Sequence, residues 1–284
     1  MISLNLDNPQ LAQTYDEISD SQFDSGRRLI SLLDVTSGSS VLDIGCGTGR
    51  LGFHVAEVLG ATGTLVGLDP LADRISVARQ KNLYPNVEFR VGSAENLSGI
   101  ASDSIDVVYL SAVFHWVEQK ATALREINRV LKVGGRIGLT TNAKELALST
   151  TLAEVTAKVF ARDPYRAHVR PDDFAPLRFG VTSTQLIELF VEAGLKLQSL
   201  QVQSIQRSFK NGRTVVDFAE SSMFGNYTGK LPESLRAQAR AELALEFDQL
   251  QEANGISALL YTVFAVARKV AVTRTTNHAQ SVMH

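Results

Sequence analysis

Three glycines at alternate positions follow a short, mostly apolar run that contains an acid. The run covers residues 41–44 and includes Asp43, and Gly45, Gly47 and Gly49 come directly after it. Glycine lets the backbone turn at φ values that other residues avoid, and without a Cβ it lets a ligand lie on the main chain. Asp43 would repel a phosphate but can hold a cation or its water shell. The pattern therefore predicts a strand that enters a loop binding a positively charged nucleoside.

The spacing of these glycines separates the loop from a dinucleotide-binding loop. It reads GxGxG, with Arg50 directly after Gly49. The GxGxxG pattern that places a pyrophosphate at a helix N-terminus is therefore not met. This spacing opposes an NAD-linked oxidoreductase, which is one alternative for a glycine loop of this kind.

A second acid follows the glycine loop at a distance that suits a ribose. Residues 63–69 are predicted to form a strand that ends in Asp69, about 20 residues after the glycines. In open α/β sheets a carboxylate there accepts hydrogen bonds from the two ribose hydroxyls. The alternative is that Asp69 only caps the next helix. Its distance from the glycine loop favours the ligand role.

Together these segments resemble the class I S-adenosylmethionine-dependent methyltransferase family. In that family the loop matched by residues 43–49 (DIGCGTG) wraps the methionine and ribose of S-adenosyl-L-methionine, and Asp69 matches the ribose-binding acid. Residues 91–97 (VGSAENL) resemble the segment that contacts adenine, with Ser93 where the family usually has Asp. The cofactor-binding residues that the resemblance implies are Tyr15, Gln22, Asp43, Gly45, Cys46, Gly47, Gly49, Asp69, Pro70, Ser93, Ala94, Glu95 and Ser111.

Two short segments are similar to the trans-aconitate and malonyl-carrier-protein O-methyltransferase group of that family. Tyr15 and Gln22 match residues that close over the cofactor, and residues 114–116 (FHW) are typical of the group after the fourth strand. The resemblance implies a small-molecule methyl acceptor as the partner, with Phe114 and Trp116 near it. Packing of these two rings in the core is the alternative.

The fold class that follows is α/β, a Rossmann-like doubly wound, mostly parallel sheet with a reversed last strand and helical lid insertions. Strands and helices alternate until about residue 145, as a parallel sheet with crossover helices requires. We expect cofactor-capping helices in 1–35, the Rossmann-like core in 36–145, substrate-lid insertions and strand six in 146–257, a closing strand in 258–269 and a tail in 270–284.

Composition and charge limit the classes of molecule that the chain can bind and the compartments in which we expect it. The net charge is −2 and the pI is near 6.2, so the chain offers no basic field for nucleic acid. We expect no signal peptide and no membrane span, because the N-terminus lacks a basic and apolar leader and no apolar run reaches about 18 residues. The lone Cys46 fits a reducing, cytoplasmic location and a structural role rather than a nucleophile. Oligomeric state stays open.

Histidines and arginines after the fourth strand are the candidates for handling the acceptor. A carboxylate oxygen needs no base, only cations that hold the acid, and Arg166, His168 and Arg170 offer these. A solvated charged loop is the alternative for them. His115 is the candidate catalytic base for a phenol or amine acceptor, or else a packed side chain. No His or Cys spacing suits a metal.

The leading hypothesis is an S-adenosylmethionine-dependent methyltransferase acting on a small molecule, with a carboxylate oxygen as the acceptor atom. N-, O- or C-methylation of a natural-product scaffold with His115 as base is the second hypothesis. A non-catalytic protein that keeps the cofactor fold for binding is the third, and the intact Asp43, glycines and Asp69 oppose it.

Overall fold

Strands and helices alternate along the first half of the chain, as the sequence predicts. The computed structural model describes residues 3–142, 144–146, 151–169 and 180–271. The strands are β1 (Ser40–Ile44), β2 (Thr64–Asp69), β3 (Val87–Val91), β4 (Ile105–Ser111), β5 (Leu131–Asn142), β6 (Leu195–Phe209) and β7 (Ile256–Lys269). The α-helices are α1 (Pro9–Ile18), α2 (Asp20–Ser31), α3 (Arg50–Leu59), α4 (Ala72–Lys81), α5 (Lys120–Val130), α6 (Thr151–Phe160), α7 (Ser183–Glu192), α8 (Gly212–Ser222) and α9 (Glu233–Asp248).

The strands form one seven-stranded sheet in the order β3-β2-β1-β4-β5-β7-β6. Strands β1 to β5 pair in parallel, whereas β7 is antiparallel to both β5 and β6. The predicted mostly parallel sheet with a reversed last strand is confirmed. The strand order reverses direction between β1 and β4, and ligands of such sheets bind at that switch point, beyond the carboxyl ends of the strands.

Apolar side chains cover both faces of this sheet. One core cluster, with Ile127 and Phe190, lies between the sheet and α5 and α7. A second, with Leu29 and Phe89, lies between the opposite face and α2, α3 and α4. The central strands β1 and β4 are buried on both faces, as expected where crossover helices cover a sheet.

Side-chain caps start two of the later helices. Thr182 and Gln185 form a reciprocal capping box at the start of α7, and Asn211 and Thr214 do the same for α8. Such caps satisfy backbone N–H groups that have no partner within the helix.

The helices inserted around β6 form a separate layer. Their own core cluster includes Phe160, Val216 and Leu243. Helix α8 packs against α9 and also against the N-terminal helix α1. We call α1, α8 and the turn at Phe224 the cap. Among the described residues, no helix is both long and apolar enough to cross a membrane.

The contact between α8 and α9 gives a first testable prediction. A Cβ on Gly212 would lie 2.0 Å from the backbone oxygen of Ala244, so Gly212→Ala forces the two helices apart. Overpacking of this kind costs about 1 to 3 kcal/mol in the free energy of unfolding. Gly99→Ala is the matched control, because no atom lies within 4 Å of its added Cβ. Equal urea midpoints for the two variants would contradict the packing described here.

Candidate functional site

The three loop glycines all have left-handed backbone angles, with φ of 76° at Gly45, 55° at Gly47 and 83° at Gly49. A Cβ on Gly45 would lie 2.2 Å from a methyl group of Val113, and one on Gly49 would lie 2.9 Å from the Phe89 ring. These two glycines are therefore required by packing within the chain. A Cβ on Gly47 would meet only the Tyr15 ring, at 3.6 Å. Gly47 is thus the glycine whose main chain faces the cap.

Asp69 connects the end of β2 to the glycine loop. Its carboxylate accepts a hydrogen bond from the Gly47 N–H and another from the Leu71 N–H, each at 2.9 Å. Burial raises the pKa of Asp69, while Arg74 and these two amides oppose the rise. The contact with Leu71, the N-cap residue of α4, is an Asx turn before the helix and not a cap of its first-turn amides. The contact with Gly47 shows that Asp69 also belongs to the loop, and each oxygen keeps a lone pair for a hydroxyl.

Asp43 is a buried carboxylate that lacks a cationic neighbour. Its side chain accepts a hydrogen bond from the Tyr109 hydroxyl at 2.8 Å. Burial raises the pKa of Asp43 to about 8, and the charge of Asp69 contributes to the rise. Among the described residues only the Tyr109 hydrogen bond opposes it. A cationic group placed here would stabilise the carboxylate, so the site fits S-adenosyl-L-methionine, which carries an ammonium and a sulfonium.

Arg74 on α4 joins the sheet domain to the cap, a role that its sequence context did not reveal. Its guanidinium pairs with Asp7 at 3.3 Å and donates to the Ser221 backbone oxygen at 2.5 Å. It also lies 4.4 Å from the Tyr15 ring centroid and 4.9 Å from that of Phe224. These partners are distant along the chain, so no local motif marks them. Arg74 therefore holds both parts of the cap next to Asp69.

The N-terminal helices are also fixed to α3, the helix that follows the glycine loop, and to α4. Arg50 donates to the Asp16 backbone oxygen at 2.9 Å and pairs with Asp20 at 2.7 Å. Lys81 forms an ion pair with the Asp16 carboxylate. These contacts set the position of Tyr15, whose ring lies over Gly47.

Helix α2 lies over the end of β4. A Cβ on Gly26 would be 3.0 Å from the Ser111 hydroxyl oxygen, so this helix lies directly on the predicted cofactor residue Ser111. Gln22 lies one turn earlier on the same face of α2 and accepts a hydrogen bond from Ser21. The structure thus brings Gln22 and Ser111 to the same side of the sheet.

A cleft of about 450 Å³ lies beside the predicted adenine residues. Leu68, Pro70 and Ser93 line it, together with the surface segment 96–100. Ala94 is buried in the core under the cleft. Burial lowers the pKa of Lys120 to about 8, and the charge of Glu95, which is half-buried, opposes this fall. The cleft has the place that the resemblance assigns to adenine.

Cys46 is buried in the core cluster beneath the loop. Burial raises the pKa of its thiol well above the ordinary value, and the nearby charges of Asp43 and Asp69 add to the rise. A protonated thiol is a poor nucleophile. The structural role that we expected for Cys46 agrees with this placement.

The three residues after β4 that were predicted to lie near the acceptor have different surroundings. Phe114 is fully buried in the core, which is the packing alternative, so its ring does not line an open pocket. The Trp116 ring lies 5.0 Å from Phe224 of the cap. His115 is buried, with its Nδ1 3.5 Å from the Thr141 hydroxyl. Burial lowers the pKa of His115 to about 4, and the charge of Lys120 acts in the same direction.

Of the residues predicted to bind an acid, the structure describes Arg166 and His168 and leaves both at the surface. Arg166 is exposed and pairs with Asp163 at 2.6 Å, and His168 is also exposed. Arg170 lies outside the described residues. For Arg166 and His168 the solvated loop, which was the alternative, agrees with the structure. Within the described ranges, no group of three His, Cys, Asp or Glu side chains is placed to hold a metal.

The sheet with its reversed last strand, the glycine loop and Asp69 define a class I S-adenosyl-L-methionine-dependent methyltransferase fold. Residues 35–218 match a family described as a methyltransferase domain, and the chain belongs to that family.

Curated relatives are similar over part of their length. An arsenite methyltransferase of Aquipseudomonas alcaligenes is 34% identical over 138 residues, which are 45% of this chain and 39% of that protein. A malonyl-[acyl-carrier protein] O-methyltransferase of Pectobacterium atrosepticum is 30% identical over 150 residues, covering 50% of this chain and 57% of the relative. The match thus spans less than two thirds of either relative.

Solved structures share the fold. The YcgJ protein of Bacillus subtilis aligns with a TM-score of 0.56 at 22% identity, over 87% of this chain and 99% of that one. An S-adenosylmethionine-dependent methyltransferase of Mesorhizobium loti aligns with a TM-score of 0.51 at 19% identity, over 86% of this chain and 96% of that one. At these identities the likeness supports the fold alone.

The buried Asp43 predicts a pH-dependent effect on stability. Its pKa is about 8 in the folded chain and about 4 when unfolded, so only the unfolded chain loses this proton between those values. The contribution of Asp43 to the free energy of unfolding therefore falls as pH rises from about 4 to about 8. Asp43→Asn removes this dependence, and the variant should gain stability relative to the natural chain as pH rises through that window.

Urea unfolding of the cofactor-free protein at pH 4.5 and pH 8 measures this difference. Asp24→Asn is the control, because Asp24 is exposed. The difference in the free energy of unfolding between this variant and the natural chain should be nearly the same at both pH values. A difference for Asp43→Asn that does not grow with pH would contradict the buried, cation-free environment of this carboxylate.

Proposed function

We propose that this protein transfers a methyl group from S-adenosyl-L-methionine to a carboxylate oxygen of a small molecule. The observation that carries the methyl-transfer part is the pair of buried carboxylates, Asp43 and Asp69, beside the glycine loop. A buried pair of carboxylates, one of which can lose its proton when a cation binds, selects a cationic nucleoside over a nucleotide. The family membership agrees with that choice.

The residues of the chain bind and orient rather than react. When bound, the cofactor supplies an electrophilic methyl carbon, and an acceptor lone pair displaces the thioether sulfur, which keeps the electron pair of the broken bond. Asp69 would hold the ribose hydroxyls, and Asp43 would face the ammonium. Tyr15, held by Arg74, covers the Gly47 main chain and excludes water. Alignment in a dry site is what this displacement requires.

The state of His115 supports a carboxylate acceptor. A histidine whose pKa is near 4 is neutral at pH 7 and is a weak base. Its hydrogen-bond neighbour Thr141 lies next to Thr140 along β5, so the two point to opposite faces of the sheet. Thr140 pairs with Ser111, on the face that α2 covers. A carboxylate is already ionised and gives up no proton, so His115 is not needed as a base.

Two alternatives remain as outcomes of the tests. In one, His115 acts as the base for N-, O- or C-methylation of a natural-product scaffold. In the other, the chain binds the cofactor without catalysis. The O-methyltransferase among the relatives favours an oxygen acceptor over a nitrogen or carbon acceptor.

Product identification tests the proposal directly. The full chain is incubated with methyl-labelled S-adenosyl-L-methionine and the small-molecule fraction of a metabolite extract, and labelled products are identified by mass spectrometry. The expected product is a methyl ester, which mild alkali hydrolyses. An alkali-stable labelled product would contradict the carboxylate acceptor, and the absence of any labelled small molecule would contradict the proposed activity.

Removing the carboxylate of Asp69 should weaken cofactor binding. Asp69→Ala loses the ribose hydrogen bonds and also leaves the Gly47 and Leu71 amides without an acceptor, so binding of S-adenosyl-L-methionine should weaken by about 1.5 to 3 kcal/mol or more. Asp69→Asn keeps one oxygen acceptor and should lose less. Calorimetric titration measures both, with the exposed Asp24→Ala as control. Unchanged affinity in Asp69→Ala would contradict the ribose assignment.

Replacing His115 distinguishes the acceptor chemistries. If the acceptor is a carboxylate, His115→Ala should keep turnover within about tenfold of the natural chain, because no proton has to be removed. If His115 is the base, kcat should fall about 100-fold or more. The measurement is kcat on the labelled acceptor at saturating cofactor, and a loss of the larger size would overturn the carboxylate assignment.

A further inference from the structure

Arg207 on β6 is a half-buried cation, and among the described residues it has no acidic partner. Its guanidinium carbon lies 4.2 Å from the centroid of the Phe218 ring on α8. Its Nε is buried and has no hydrogen-bond partner. Burial lowers the pKa of Arg207 to about 10, and among the described residues only Tyr15 opposes this fall. A buried guanidinium N–H without a hydrogen-bond partner is costly and calls for an explanation.

A second unsatisfied polar atom lies on the same strand face. The side-chain oxygen of Gln203 is buried and accepts no hydrogen bond. Gln203 and Arg207 are four residues apart on β6, so both point to the same side of the sheet. Gln203 pairs with Thr262 of β7, and Thr262 pairs with Asn142 of β5. A row of polar side chains therefore crosses three strands beyond the carboxyl end of β4.

This polar row is on the cofactor side of the sheet. Phe264 of β7 pairs with Thr140 of β5, and Thr140 pairs with Ser111 of β4. Phe264 also pairs with Gln201, which is two residues before Gln203 and shares its face. Gln203 and Arg207 thus lie on the face to which Ser111 belongs, the face that α2 covers.

Tyr15 links Arg207 to the glycine loop. Arg207 stacks on Phe218 of α8, and α8 packs against α1, the helix that carries Tyr15. The positive charges of Arg74 and Arg207 both oppose the rise that burial causes in the pKa of Tyr15. The Tyr15 ring in turn contacts the position above Gly47. Arg207 therefore lies on the side of the cap that carries Tyr15, and it approaches from β6 rather than from the loop.

We propose that Arg207 binds the carboxylate of the methyl acceptor and that the Gln203 oxygen accepts a hydrogen bond from a hydroxyl or N–H group of the same molecule. The proposal rests on the proposed function and gives Arg207 the role that the sequence suggested for Arg166 and Arg170. A carboxylate can take two parallel hydrogen bonds from a guanidinium, one of them from Nε. Stacking on Phe218 fixes the guanidinium plane for this contact.

The test compares Arg207→Gln, which removes the charge, with Arg207→Lys, which keeps the charge but loses the planar fork. Arg213→Gln is the matched control, because Arg213 is an exposed arginine on the same covering helix as Phe218 and pairs with Asp217. Each protein is saturated with S-adenosylhomocysteine and titrated calorimetrically with hexanoate, glutarate and benzoate, and with the primary amide of each acid.

The natural chain should bind at least one of these carboxylates about tenfold or more tightly than its amide, since a charged hydrogen bond is worth about 1.5 to 3 kcal/mol. Arg207→Gln should lose this preference, Arg207→Lys should keep part of it, and Arg213→Gln should keep all of it. Affinity for S-adenosylhomocysteine should be equal in all four proteins. Arg207→Gln should melt no lower than the natural chain, because it removes a buried guanidinium N–H that has no hydrogen-bond partner among the described residues.

Equal binding of acids and amides by the natural chain would overturn the role of Arg207, and so would a carboxylate preference that survives in Arg207→Gln. In both cases tight binding of S-adenosylhomocysteine would leave the proposed methyl transfer standing. Failure of the natural chain to bind S-adenosylhomocysteine would instead overturn the proposed function, and the acceptor site with it.

Discussion

Burial of two carboxylates beside a single guanidinium is the constraint on which this site depends. Asp43 and Asp69 repel each other, and the only cation whose charge counters either of them among the described residues is Arg74, next to Asp69. At an effective dielectric constant of about 20, two unit charges 4 Å apart interact by about 4 kcal/mol. The unliganded chain lowers this repulsion by keeping a proton on Asp43. A bound cation would remove the need for that proton, so the site is arranged for a cationic ligand.

Arg74 makes the closure of the site part of the same arrangement. It carries the charge that stabilises Asp69, and its other contacts hold the segment around Asp7 and Tyr15 and the end of α8 around Ser221. The cap is thus anchored to the buried charges rather than to a purely apolar surface. The exclusion of water strengthens electrostatic interactions within the site. It therefore depends on the same buried charges that select the cofactor.

The core of the fold and the cofactor loop could be predicted from the sequence because their signals are local. The glycine spacing, the acid at the end of β2 and the alternation of strands and helices each appear within a few consecutive residues. The acceptor side could not be predicted in this way. Arg207 is one polar residue in a long alternating strand, and only the register of β6 with β7 and the packing of α8 show which groups its side chain contacts. Arg166, by contrast, lies in a segment whose sequence suits the binding of an acid, but its side chain is exposed and forms an ion pair with Asp163.

The most direct test of this account is a crystal structure of the protein with S-adenosylhomocysteine. We predict that the ribose hydroxyls lie within hydrogen-bond distance of the Asp69 carboxylate and that the adenine occupies the cleft between Pro70 and Ser93. The ammonium should lie on the side of Asp43, under the Tyr15 ring. A nucleoside bound elsewhere, or a ribose that makes no contact with Asp69, would contradict the central claim that the two buried carboxylates form the cofactor site.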